Sequence, residues 1–218
     1  FFDSVKTGTY SSIERVFVTG VSPVTMDDLT SGFNIGTNYT LNYEFNEMVG
    51  FTENEVRAML TYYTDFCNLH KYTVDELIEI MKPWYDNYCF AEDAYGETTM
   101  YNSNMVLYFI DNYVGSKGRL PRNMVEENIR VDYNKLRMLI HRDKEKPYSI
   151  IRQLMDKGSV TGELITGFPI EKITEYEYFL SLLYYQGVLT ISGRYHGMTV
   201  FTLPNNSMRM ILDYLLAD

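Results

Sequence analysis

The run TEYEYFLSLLYYQGVLTISGRYHGMTVFTL, Thr174–Leu203, carries the reading of the fold. Thr174-x-x-Glu177 has the spacing of a capping box, in which hydroxyl and carboxylate satisfy free backbone N–H groups at a helix start. The helix it predicts continues through Gln186, where Gly187 supplies a stop. Val188–Ser192 and Met198–Leu203 are strand-like, and Gly193–Gly197 joins them as a projecting turn. Upstream, Asp132–His141 and Tyr148–Lys157 read as helices, the second begun by Pro147 and stopped by Gly158. A short strand, Ser159–Ile165, follows, and a last helix spans Ser207–Leu216. Three helices followed by a hairpin is the order of a winged helix.

The first half has a different rhythm. Arg15–Gly20, RVFVTG, is short, rich in β-branched residues and closed by glycine, so it reads as a buried strand. Thr25–Leu29 reads as one helical turn. Thr52-x-x-Glu55 and Thr73-x-x-Glu76 are capping boxes for helices over Glu53–Leu69 and Val74–Met81, with Pro83 ending the second. Tyr88–Ala91 and Thr98–Tyr101 flank Glu92–Glu97 as a small hairpin. Asn102 caps a helix to Val114, with Gly115 in the stop position. The fold class expected is mainly α with small β elements (α+β).

Composition agrees with a globular chain. Of 218 residues, 45% are hydrophobic and 22% charged, enough for one large or two small domains. No uncharged apolar run approaches the roughly 18 residues of a membrane span, and Phe1-Phe2-Asp3 is no basic leader. A start without methionine is read as a sign of a longer parent. Cys67 and Cys89 cannot build a disulfide scaffold, which favours a reducing, cytoplasmic home. The net charge of −10 opposes a general phosphate-backbone binder. Residues 1–118 hold 6 Lys/Arg against 17 Asp/Glu, whereas 119–218 hold 13 against 12. That asymmetry places a boundary near Gly115-Ser116-Lys117-Gly118 and suggests two bodies, 1–118 and 119–218.

Catalytic signatures are missing. There is no G-x-x-x-x-G-K-[ST] loop, and Gly115-Ser116-Lys117-Gly118 is too short to cradle a phosphate. No carboxylate stands two residues before a lysine, so the E-x-K half of a PD-(D/E)XK nuclease is absent. His70, His141 and His196 are isolated, without zinc-site spacing, and no G-x-S-x-G elbow occurs. The sequence therefore nominates no catalytic residue and no metal ligand.

Three segments carry a family likeness: RVFVTGVSPVTMDDLTSGFNI (Arg15–Ile35), FNEMVGFTENEV (Phe45–Val56) and KPWYDNYCF with MYNSNMVLYFI (Lys82–Phe90 and Met100–Ile110). Together they resemble the bacterial AAA-ATPase-like family of STAND-type P-loop proteins, whose members often end in a PD-(D/E)XK nuclease-like domain. FLSLLYYQGVLTI (Phe179–Ile191) extends the likeness loosely. The resemblance implies that this chain follows the Walker A and Walker B segments. It would comprise a last core strand, a helical lid (to residue 118) and a winged-helix-like domain (119–218). ATP and Mg would bind the complete protein, and no cofactor is expected on this chain alone. The partners implied are the N-terminal P-loop segment and a C-terminal nuclease-like domain.

Within that resemblance Thr19 and Ser22 fall at the sensor position that reaches a γ-phosphate, Asn34 lies in the same T-S-G-F-N-I motif, and Arg57 would be a phosphate-sensing arginine. The plainer alternatives are backbone-capping hydroxyls at a strand end and a solvated helix arginine. Two departures matter in W-Y-x-G-Y-R/K-F: the usual glycine is Asn87, which tolerates positive φ, and the usual cation is Cys89, here expected as a buried small residue. Trp84 is expected as a core anchor between lid helices. The rival reading is a winged-helix module that binds protein or, weakly, DNA without nucleotide chemistry. Arg194, Tyr195 and His196 in the hairpin turn are its candidate contacts, whereas Tyr184 and Tyr185 are expected in the core.

Overall fold

A computed structural model describes residues 2–20, 37–126, 129, 133–142, 146–167 and 169–217. It is mainly helical with one small sheet, as expected. The elements are α1 (Phe2–Gly8), α2 (Glu53–Phe66), α3 (Val74–Tyr85), α4 (Ser103–Gly115), α5 (Asn134–Arg142), α6 (Lys146–Lys157), β1 (Ser159–Gly162), α7 (Tyr176–Tyr185), β2 (Thr190–Tyr195), β3 (Met198–Thr202) and α8 (Asn206–Leu216). Short 3₁₀ turns lie at Tyr43–Phe45, Glu92–Ala94 and Ile170–Lys172. The helical turn expected at Thr25–Leu29 lies outside the described residues.

Both capping boxes of the first half form. Thr52 accepts from Glu55 N while Glu55 accepts from Thr52 N, and Thr73 and Glu76 repeat the exchange. Each helix then buries one face: Val56, Leu60 and Thr64 on α2; Leu77, Ile78, Met81 and Tyr85 on α3. All of these but Thr64 make one apolar cluster with Met105, Val106, Phe109, Ile110 and Tyr113 of α4. Pro83 does not end α3, which runs on to Tyr85. Burial of Tyr85 holds that last turn, and its free carbonyls find partners elsewhere: Ser207 Oγ donates to Trp84 O at 2.6 Å and Asn102 N to Tyr85 O at 2.8 Å. Tyr85 is fully buried, whereas Trp84 is only partly so, which makes the tyrosine the core anchor. At the end of α4, Gly115 is still helical, and the positive-φ stop falls later, on Lys117 and Gly118.

The second cluster joins α5 to α8 and the sheet, around Ile150, Leu154, Phe179, Leu183, Phe201 and Leu212. The sheet is antiparallel in the order β1-β3-β2. Ser159 pairs with Thr202 and Gly162 with Thr199, while Thr190 pairs with Thr202 on the other side. His196 and Gly197, with φ of 50° and 84°, make the two-residue β2–β3 turn, whose twist matches the strands. β1 stops at Gly162 rather than Ile165. A Cβ on Gly162 would run into Leu180 Cδ2 and Glu177 Oε2, so the chain crosses α7 closely and a larger residue there requires those side chains to shift.

The Thr174 capping box does not form. α7 starts at Tyr176 with Glu175 as an N-cap that makes no side-chain bond. Glu177 instead accepts from Glu163 N at 2.7 Å, and Ser181 Oγ accepts from Ile165 N at 2.9 Å. The long-range need of the chain leaving β1 outcompetes the local box. The hairpin expected at 88–101 is likewise reduced to one bridge, Tyr88 with Met100. The other donors of its first arm go to side chains: Cys89 N to Thr190 Oγ1 at 2.7 Å, Phe90 N and Ala91 N to Asn46 Oδ1 at 2.8 and 3.1 Å.

Arg15–Gly20 is the largest departure. It is an irregular segment that pairs with no strand among the described residues, and it is exposed throughout. Val16, Phe17 and Val18 are 42, 65 and 55% exposed. A strand needs a neighbour to supply ladder hydrogen bonds and cover, and the described residues offer none.

Candidate functional site

The segment Trp84–Phe90 is the seam between the two apolar clusters. Tyr85 belongs to one cluster, and Tyr88 and Cys89 to the other. Asn87 between them sits at φ 76°, the left-handed region that glycine favours, with its N–H donating to Asp86 Oδ1 at 2.6 Å. The seam is stitched on both sides. Tyr85 OH donates to Met124 O at 2.6 Å, Tyr88 OH to Gly187 O at 3.1 Å, and Tyr184 OH to Phe90 O at 3.0 Å. Asn205, the N-cap of α8, donates through Nδ2 to Asp86 O at 2.9 Å. Cys89 is buried as expected, its thiol directed to Ala91 O at 3.1 Å. Burial pushes that thiol up, away from the reactive thiolate.

The nominated sensor residues are dispersed. Thr19 is exposed at the end of the unpaired segment. Ser22 and Asn34 lie outside the described residues. Arg57 is held by two carboxylates: Nε meets Glu53 Oε1 at 2.9 Å and Nη1 meets Asp75 Oδ1 at 2.5 Å, while Lys82 Nζ meets Glu53 Oε2 at 3.0 Å. Lys82 first and Arg57 second hold the Glu53 carboxyl below its ordinary range. The network clasps the start of α2 to both ends of α3.

Arg194, Tyr195 and His196 do come together, at the exposed β2–β3 tip. Tyr195 and His196 meet edge-on with centroids 4.3 Å apart. Arg194 Nε lies 3.2 Å from Glu92 Oε2, and Thr199 Oγ1 donates to Glu92 Oε1. Glu92 thus clamps the hairpin and neutralises its guanidinium, a role with no signal in the sequence beyond a carboxylate in a turn. Asn46, whose Oδ1 gathers two backbone donors across the seam, was equally unmarked. α7 buries Phe179, Leu180, Ser181, Leu182, Leu183 and Tyr184, so it offers little free surface to a DNA groove, and Tyr184 is core as expected.

A cavity of about 160 Å³ opens beside Tyr43, Asn46 and Ala94. Its polar lining is acidic (Glu44, Glu47 and Glu97), with Tyr43 OH donating to Glu97 Oε2 at 2.6 Å. That lining repels a triphosphate, and the volume is below the range of ordinary ligand pockets. Among the described residues no cluster of His, Cys, Asp and Glu could hold a metal, and no helix is long and apolar enough to cross a membrane. The chain is similar to no family model, no curated protein and no solved structure at a significant level.

Proposed function

We propose that this chain is the nucleotide-sensing lid and winged-helix switch of an AAA-like P-loop ATPase, with the phosphate-binding loop on an upstream segment. The observation that carries this is Arg15–Gly20. Val16 and Val18 would face one side of a strand and Phe17 the other, and all are exposed. A strand apolar on both faces belongs inside a sheet covered on both sides, as parallel sheets are. Placed in such a sheet, Thr19 would end the strand beside the nucleotide. ATP and Mg would belong to that complete site, and this chain by itself would not turn over ATP.

Two further features support the switch. The order α6, β1, α7, β2, β3 with sheet order β1-β3-β2 suits a winged helix. The seam at Trp84–Phe90 ties the end of α3 to α8 and β2, so a lid rotation would carry the second body with it. The family's cation is replaced by a buried thiol at Cys89, which favours binding and sensing over fast hydrolysis.

Calorimetric titration of Mg-ATP into this chain and into a version extended by its natural upstream segment tests the proposal. Binding to the extended protein alone is expected. Binding to neither, or to the short chain alone, overturns it. A second reading, a protein- or DNA-interaction module without nucleotide chemistry, is favoured by the commitment of Arg57 to Glu53 and Asp75. For DNA it requires affinity that falls steeply with salt.

A further inference from the structure

α2 carries an aromatic stripe on the face opposite its core. Tyr62 and Phe66, four residues apart, stack with centroids 5.7 Å apart and planes within 6° of parallel. They are 59 and 73% exposed, and Tyr63 meets Tyr62 edge-on at 5.2 Å. Ala58, exposed one turn earlier, continues the line. The helix has its stability from Val56, Leu60 and Thr64 on the buried side, so the stripe is not needed for the fold. An exposed aromatic patch rimmed by polar residues is the usual form of an interaction site.

Charge identifies the occupant. Asp65 lies on the stripe's face, and its carboxylate has no ion-pair partner among the described residues. Glu55 flanks the other end, and hydrogen bonds from Thr52 hold its carboxyl below the ordinary range, hence ionised. Arg57, the helix's only cation, is committed to Glu53 and Asp75. The next cation along the chain, Lys71, lies 5.3 Å from the Tyr72 ring centroid. A second copy docking antiparallel would set Asp65 against Glu55, like charge on like charge, and an anionic lipid surface would be repelled in the same way. Flat, parallel aromatic faces beside a free carboxylate suit a planar cation, which stacks and hydrogen-bonds at once.

We infer that the Tyr62–Phe66 face of α2 docks an arginine-bearing amphipathic helix of a partner protein, with guanidinium stacked on the rings and bonded by Asp65.

The test is fluorescence anisotropy with two labelled synthetic helices, one with Leu on one face and Arg on the other, the second with Lys in place of Arg. The intact chain is expected to bind the Arg helix saturably and the Lys helix more weakly. Tyr62→Ala with Phe66→Ala should weaken the Arg helix by about tenfold or more, and Asp65→Asn by about threefold. All three positions are exposed, so far-UV circular dichroism should be unchanged. Failure of the Arg helix to bind, equal affinity for the Lys helix, or indifference to the double substitution overturns the inference. Sedimentation equilibrium showing a dimer dissolved by Phe66→Ala would reassign the face to a second copy. Capture by phosphatidylserine vesicles lost in the same variant would reassign it to a membrane, and either result overturns the inference too.

Discussion

Thr190→Val isolates one stitch of the seam. Thr190 and Cys89 are both buried, and the Thr190 hydroxyl accepts the Cys89 N–H at 2.7 Å. Valine keeps the volume and branching but removes the acceptor, so no cavity opens and the effect is that of an orphaned donor. An unsatisfied buried N–H costs about 1–3 kcal/mol. The added methyl recovers part of this, roughly 0.8 kcal/mol of apolar burial. The net loss is therefore between about 0.2 and 2.2 kcal/mol, about 1 kcal/mol at the middle of the range. For a domain of this size each kcal/mol moves Tm by about 2–4 °C, so the central expectation is a shift of about 2–4 °C downward. Urea unfolding gives the free energy, and amide exchange of Cys89 gives the cause. The Cys89 amide should be slow in the wild type and in Thr190→Ser, which keeps the acceptor, and fast in Thr190→Val. A valine variant within about 0.5 kcal/mol of wild type, with Cys89 still protected, refutes the account of the seam.

Two other outcomes are expected. Asn87 holds φ at 76° on the surface, so Asn87→Gly should match or exceed wild-type stability, whereas Asn87→Val should cost about 1–2 kcal/mol; equal urea midpoints for the two variants would contradict the left-handed backbone. Glu53 has a folded pKa below its ordinary value of 4.5. Such a group stabilises the fold above the unfolded pKa, and this stability is lost as pH falls through the folded value. Because the carboxylate is about a third exposed, the effect is screened to about 0.5 kcal/mol. Glu53→Gln should flatten the acid limb of the stability profile below pH 4.5, and an unchanged limb counts against the clasp.

Much of the fold was legible because its signals are local. Thr52, Thr73 and Asn102 cap the helices they were read to cap, since each bond closes within three residues. Gly158 and Gly187 sit at positive φ where a stop was expected, and the β2–β3 turn lies within the expected Gly193–Gly197 but is shortened to His196-Gly197, because β2 pairs with β3 as far as Tyr195. Asn87 took the conformation expected of a glycine position for the same reason. These are contests between a residue and its immediate backbone, and a sequence displays both sides of them.

What only the tertiary structure decided lies where a distant group outbid a local one. Glu177 serves Glu163 instead of its own helix start, and residues 89–91 give their donors to Thr190 and Asn46 instead of to a strand. Pro83 sits inside α3 because Tyr85 is buried and Ser207 and Asn102 take the carbonyls around it. The candidate site follows the same division. That Arg194, Tyr195 and His196 share the hairpin tip was evident from adjacency, but Glu92 reaches Arg194 and Thr199 from about a hundred residues away. Arg57 could be read as a free cation until Asp75 was brought against it by the packing of α2 on α3. Arg15–Gly20 marks the limit in the other direction: its residues state a strand plainly, but a ladder needs a neighbour, and a strand's own sequence does not contain one.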